Sequence, residues 1–172
     1  MGKLTFIIGG VRSGKSNHAT RLAKDKDKKV AFIATSQILD DEMKKRVQLH
    51  KEQRPHHWQT FEKHKNIIPA IEEINKSFDI VIIDCLTIYI SNLLLADTDE
   101  HQIEEHIDLL MKTLKTTDFK TIIVSNEVGL GIVPDNVLAR RFRDLAGKVN
   151  QITAKHADEV IFMAAGLPMK LK

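Results

Sequence analysis

Residues 4–8, LTFII, run directly into Gly9–Ser16, GGVRSGKS, and a stretch with helix-period apolar positions starts at Lys15. The order Gly9, four residues, Gly14, Lys15, Ser16 meets the Walker A pattern, in its required setting of a strand before and a helix after. Each residue type has a physical reason. Glycines let backbone N–H groups turn inward around phosphate oxygens without interference from a Cβ. The helix that follows points its positive end at the same place. Gly9, Gly10, Val11, Arg12, Ser13, Gly14, Lys15 and Ser16 are therefore read as a nucleotide-binding loop. Lys15 is expected to reach the β- and γ-phosphates, and Ser16 to ligate Mg2+. The plain alternative is a glycine turn with no ligand; spacing and context both speak against it. A dinucleotide-cofactor loop is disfavoured because the Gly-x-Gly-x-x-Gly order is missing.

The rest of the chain repeats that strand-then-helix alternation. Leu4–Ile8, Val30–Ala34, Ile80–Ile83, Thr121–Ser125 and Val160–Ala164 are short, nearly all-apolar runs, as expected of strands covered on both faces. Lys15–Lys24, Asp40–Lys51, Ile67–Ser77, Gln102–Leu114 and Asn136–Lys155 read as helices, and the tail GLPMKLK as a short edge strand. The expected fold is a three-layer α/β/α P-loop NTPase fold, a mainly parallel sheet with helices on both faces. At 172 residues, with no repeat and no linker, residues 1–172 are expected to form one catalytic domain.

Asp84 closes the apolar run of FDIVIIDCLT and is the natural second anchor for Mg2+; a turn or helix-cap aspartate is the alternative. Cys85, the only cysteine, excludes an internal disulfide and reads as a small buried thiol. A net charge of +3 suits anionic small molecules and makes no case for nucleic acid. The first apolar run is too short for a signal peptide, Gly2 lacks the context for myristoylation, and no stretch is long enough for stable membrane insertion. The expected location is cytoplasmic.

Four segments carry more than a P-loop: GGVRSGKS, ATSQILDDEMKKRVQLHKEQRPHHWQTFE from Ala34 to Glu62, IDCLTIYISNLL, and SNEVGLGIVPDNVLARRFRDLAGKVNQ. In this order and at these spacings they closely resemble the bifunctional adenosylcobinamide kinase/adenosylcobinamide-phosphate guanylyltransferase family of cobalamin biosynthesis, across essentially the whole chain. The resemblance implies two reactions. ATP or GTP phosphorylates the aminopropanol hydroxyl of adenosylcobinamide. GTP then gives GMP to an enzyme histidine, releasing pyrophosphate, and the substrate phosphate takes the GMP to form adenosylcobinamide-GDP. The family histidine lies in an Asp-Glu-Met-x-x-Arg-(Ile/Val)-x-x-His run, which here is Asp41, Glu42, Met43, Lys44, Lys45, Arg46, Val47, Gln48, Leu49, His50. His50 is the matching nucleophile.

The chemistry is reasonable in itself, since a neutral imidazole, with a pKa of about 6.5, can attack phosphorus. The other reading of His50 places it near the apolar stripe of its helix as a structural residue. By the same matching, nucleotide contacts are expected at Ala34, Thr35, Ser36, Lys51, Glu52, Gln53, Arg54, Glu62 and Asp84. Glu62 has the two oxygens needed to hold a guanine N1–H and amino group, or it is a surface carboxylate. Two mild departures from the family pattern are Val11 in place of alanine and Tyr89 in place of a frequent tryptophan. The family implies GTP, ATP, adenosylcobinamide and its phosphate as partners, Mg2+ as cofactor, and a homo-oligomer, with a trimer as candidate.

Other positions stay open. Asn126 and Glu127 either touch the γ-phosphate or the substrate hydroxyl, Glu127 as general base, or form a structural turn. Arg140, Arg141 and Arg143 either reach substrate or form a solvated basic face. His56 and His57 have no partner ligands in the sequence that would make a zinc site, and Trp58 reads as packing. Two competing functions remain: a P-loop kinase without guanylyl transfer, and a nucleotide-dependent switch, for which no water-orienting motif is visible.

Overall fold

The computed structural model describes residues 2–25, 27–37, 48, 51–52 and 54–172. Seven strands, β1 (Leu4–Gly9), β2 (Val30–Ala34), β3 (Gln59–Glu62), β4 (Ile80–Asp84), β5 (Lys120–Asn126), β6 (Glu159–Ala164) and β7 (Leu167–Lys170), form one sheet in the order β3-β2-β4-β5-β1-β6-β7. All neighbours are parallel except the terminal β6–β7 pair. Between them run α1 (Lys15–Ala23), α2 (Ile67–Ile74), α3 (Leu86–Leu94), α4 (Glu100–Thr116) and α5 (Val137–His156). This is the expected α/β architecture.

Alternation along the strands divides the core into two layers. Phe6, Ile33, Val81, Ile83 and Ile123 pack with Ile71, Tyr89, Ile107, Leu110 and Val149, so α2–α5 cover one face. Ile7, Phe32, Ile82, Ile122, Val124 and Met163 pack with Ala19, Ala23 and Trp58, so α1 and the segment before β3 cover the other. Central strands β1, β2 and β4 are buried almost throughout, which is why their sequences are continuous apolar runs.

Some boundaries differ from expectation for local reasons. Helix α4 begins at Glu100 rather than Gln102 because the Asp99 side chain accepts the His101 N–H at 2.9 Å, capping the helix earlier. Helix α2 stops at Ile74 instead of Ser77, where the Ser77 N–H turns back to the Ile74 carbonyl at 3.0 Å. Two elements were not anticipated: the edge strand β3 and helix α3. The expected helix Asp40–Lys51 lies almost wholly outside the described residues; Gln48, Lys51 and Glu52 are helical, with Gln48 donating to Glu52 at 2.9 Å.

Candidate active site at the carboxyl edge of the sheet

The loop after β1 is held in shape before any ligand arrives. A Cβ on Gly9 would press into the Met163 carbonyl oxygen of neighbouring β6. Gly14 has φ +92° and lies against Gly166, the turn between β6 and β7, whose N–H donates to the Ser13 carbonyl at 3.0 Å. Glycine is the residue that takes this backbone geometry without strain. Gly14 is also the N-cap of α1, with no side-chain cap and no acid in the first turn. The helix therefore keeps its N-terminal N–H groups and positive dipole end for an anion.

Lys15 is 7% exposed, and its ammonium donates to the Gly10 carbonyl at 2.6 Å. Burial pulls its pKa below the usual lysine range, and the nearby Asp84 carboxylate opposes that. The ammonium has one hydrogen-bond partner, a neutral carbonyl, and a phosphate oxygen is a group that would add charge-assisted bonds to it. Val11 is exposed at the loop's crest, and Arg12 beside it has φ +55°.

The next strands bring further expected residues to the same edge. Ala34 lies in register with Asp84 on one side and with Glu62 on the other. The Thr35 N–H donates to the Asp84 carbonyl at 3.3 Å, and the Thr35 hydroxyl bridges the peptide groups of Cys85, both at 2.8 Å. Ser36 follows directly. Cys85 is buried, with its thiol pushed up to about 12 by burial first and Asp84 second. It is the small buried thiol that the sequence implied.

Beyond β2, Lys51 donates to Glu62 at 2.7 Å, and Arg54 lies with its guanidinium carbon 3.5 Å from the Phe32 ring centroid. Burial lowers the Arg54 pKa, opposed by the carboxylates of Asp84 and Glu62. Hydrogen bonding to Lys51, then its charge, holds the Glu62 carboxyl below the ordinary range. Lys51, Arg54, Pro55, His56, Trp58, Thr60 and Glu62 line a pocket of about 310 Å3. A larger cleft of about 640 Å3, bordered by Lys28, Lys29 and Phe78, opens at the amino edge. There Asp79 accepts from the Lys28 ammonium and from the Lys29 backbone N–H. The smaller pocket, beside the loop's edge of the sheet, is the candidate site.

His50 and Gln53 lie outside the described residues. Glu52 is helical and engaged with Gln48, not with the pocket. Trp58 is buried in the core, as expected. Arg140 donates to the Pro134 and Asp135 carbonyls and Arg141 to Glu100, so this part of the cluster is structural.

Residues 5–171 match the family described as cobinamide kinase / cobinamide phosphate guanyltransferase. The chain belongs to that family. It is 42% identical to the bifunctional adenosylcobalamin biosynthesis protein CobU of Salmonella typhimurium, covering 98% of this chain and 99% of that protein. The CobU of Escherichia coli is 40% identical at the same coverage. The CobP of Pseudomonas aeruginosa is 40% identical, covering 97% and 96%. Family membership fits the loop, Asp84 and the Lys51–Glu62 pocket sharing one edge.

Sequence reasoning missed a set of buried polar side chains behind that edge. Asn92 of α3 donates to the Thr35 carbonyl at 2.9 Å and to the His64 carbonyl at 3.1 Å, tying down the end of β2. Thr87, Ser125 and Asn150 are linked in the same way beneath the end of β5. Their signal was present: each is a polar residue inside an apolar run or on an apolar helix stripe.

Proposed function

We propose that this chain phosphorylates the hydroxyl of adenosylcobinamide with ATP or GTP, and then transfers GMP from GTP to the resulting phosphate through His50. The observation that supports this reading is a glycine-shaped loop at an uncapped helix N-terminus, with a buried lysine, beside a pocket lined by Lys51 and Arg54. In the first reaction the cobinamide hydroxyl oxygen bonds to the γ-phosphorus. The bond from that phosphorus to its bridging oxygen breaks, and the nucleoside diphosphate leaves with the electron pair. Glu127 takes the hydroxyl proton in this reading; its Oε1 also accepts the Gly129 N–H at 2.6 Å. In the second reaction an imidazole nitrogen of His50 bonds to the α-phosphorus of GTP and pyrophosphate departs. An oxygen of the substrate phosphate then attacks the same phosphorus, the P–N bond breaks and the histidine is restored.

Lys15 and the N–H groups of α1 hold the phosphates, and Lys51 and Arg54 neutralise the departing pyrophosphate. Glu62 reads the guanine base with carboxylate capacity beyond its bond to Lys51. Among the described residues, no group of three or more His, Cys, Asp or Glu forms a metal cage. A hydroxyl (Ser16) and one carboxylate (Asp84) fit Mg2+, which takes one or two protein oxygens and completes its shell with phosphates and water. Bound there, Mg2+ neutralises phosphate charge.

Five exposed apolar residues, Leu130, Ile132, Val133, Val137 and Leu138, follow β5. They support a homo-oligomer, for which a trimer is the candidate, in which a neighbour helps to enclose the large corrinoid; the mass of the particle in solution tests this. Among the described residues no helix is long and apolar enough to cross a membrane.

The test is incubation with Mg2+ and GTP labelled on the α-phosphate. Label should join the protein in an acid-labile, alkali-stable linkage, and His50→Ala should abolish it while phosphorylation of adenosylcobinamide persists. A wild-type protein that turns over without taking up label refutes the histidine step.

A further inference from the structure

Strand β4 pairs with β5 only as far as Asp84 opposite Val124, so Asn126, at the end of β5, extends past its partner on that side. On the other side Asn126 stands in register with Gly9, the first residue of the phosphate loop. Side chains take over where the β4–β5 pairing stops. The Asn126 N–H donates to Thr87 Oγ1 at 2.6 Å, and Asn150 Nδ2 donates to the Asn126 carbonyl at 3.2 Å. Thr87 Oγ1 and Ser125 Oγ are 3.0 Å apart, and Ser125 Oγ donates to Asn150 Oδ1 at 2.8 Å.

Donor counting gives the circuit one direction. The Asn126 carbonyl only accepts, so the Asn150 amide must present its NH2 there and its oxygen to Ser125. Ser125 then spends its single hydroxyl proton on Asn150, and Thr87 donates to Ser125. The chain Asn126 N–H to Thr87 to Ser125 to Asn150 to Asn126 C=O closes on one residue. Thr87, Ser125 and Asn150 are all buried. A fully satisfied ring of this kind is polarised in one sense and rigid.

Alternation decides what the ring holds in place. Ser125 shares the helix-covered face with Ile123, whereas Asn126 follows Ile122 and Val124 onto the α1 face. Asp84, two residues after Ile82, projects to that same face. The Asn126 side chain thus stands between the phosphate loop and Asp84, and Glu127 follows it with its N–H on the Gly9 carbonyl at 3.0 Å.

We propose that Thr87, Ser125 and Asn150 are positioning residues for phosphoryl transfer: they fix Asn126 and Glu127 against the terminal phosphate and the cobinamide hydroxyl. They have no part in guanylyl transfer, for which Lys51, Arg54 and Glu62 lie at the β2–β3 end. The proposal rests on the bifunctional reading above, and the test separates the two. Phosphorylation of adenosylcobinamide by ATP is measured apart from GMP transfer to supplied adenosylcobinamide phosphate.

In Thr87→Val, which keeps the shape and removes the hydroxyl, kcat for phosphorylation should fall about ten- to a hundredfold. The KM for ATP and the rate of GMP transfer should stay within about twofold of wild type. Asn150→Asp, which keeps the acceptor for Ser125 but loses the Nδ2–H, should give the same split, and Thr87→Ser should restore turnover. Undiminished phosphorylation in Thr87→Val, or equal losses in both reactions, overturns the proposal. A wild type lacking either reaction overturns the bifunctional reading before any variant is made.

Discussion

At the β1–β5 end of the sheet's carboxyl edge the polar side chains that back the site, Lys15, Thr87, Ser125 and Asn150, are buried, and of these four Lys15 alone is charged. At the β2–β3 end they are charged and half-exposed. The Lys51 and Glu62 side chains are 40% and 51% exposed, and Arg54 rests on the Phe32 ring. The contrast matches two chemical tasks. A phosphoryl group in flight needs donors fixed in advance with water kept out, which a satisfied neutral network supplies. A base and a pyrophosphate that arrive and depart are better met by charges that retain some hydration. An exposed ion pair such as Lys51–Glu62 contributes only about 0–1 kcal/mol to the fold, so it can be rearranged at little cost.

The largest effect should come from the one residue that serves both ends. Lys15→Ala removes the buried side-chain cation of the loop after β1. Both phosphorylation and GMP transfer should fall about a hundred- to a thousandfold when assayed separately. The thermal midpoint should not fall, because the lost ammonium is buried against a single neutral carbonyl. A loss confined to one reaction would show that the two ends do not share a nucleotide, and the comparison would break.

A smaller change should sharpen it. Glu62→Gln keeps the side chain's size but removes the charge that Lys51 pairs with and one acceptor for guanine. The preference of GMP transfer for GTP over ITP, which lacks the amino group, should drop about tenfold. Phosphorylation with ATP should be unchanged. If ATP-dependent phosphorylation falls equally, Glu62 belongs to the shared part of the site.

The two ends also differed in how far the sequence announced them. Five of the parallel strands could be read because strands covered on both faces are apolar throughout. The turn after β1 and the helix that follows could be read because the backbone there restricts residue type at Gly9 and Gly14. Strand β3, QTFE, escaped because it is an exposed edge strand in which only Phe61 packs inward. Helix α3, LTIYISNLL, escaped for the opposite reason: Leu86, Thr87, Tyr89, Ile90, Asn92 and Leu94 are all buried, so no polar face marks a helical period. That hidden helix carries Thr87 and Asn92, the side chains that fasten the ends of β5 and β2. Lys51, Arg54 and Glu62 came only from family resemblance, because their meeting depends on a parallel crossover that no local pattern encodes.

The smallest expected effect is a difference in where acid weakens each end. His18, on α1 behind the phosphate loop, is buried, and its Nδ1 lies 2.7 Å from an Arg21 nitrogen. Burial first, and the Arg21 charge second, hold its pKa below the ordinary 6.5, against a weaker pull from Glu159. Between the folded and unfolded values the unfolded chain binds the extra proton. The contribution of a neutral His18 is therefore complete above pH 6.5 and declines as pH falls toward its folded value. Glu62 is depressed below the ordinary 4.5 by Lys51, so its contribution is complete above that value and is lost only as pH falls below it. Half-exposed, it is screened by water and should count for less. Denaturant midpoints measured from about pH 7 down to about pH 3.5 should show the first decline in the histidine window. His18→Gln should lessen that decline, to which His106, also lowered by burial, contributes, and leave the acid limb in place, whereas Glu62→Gln should alter only the acid limb. A His18→Gln protein that keeps the full decline would move the acid-sensitive group away from the phosphate loop, and the two ends would no longer be separable by pH.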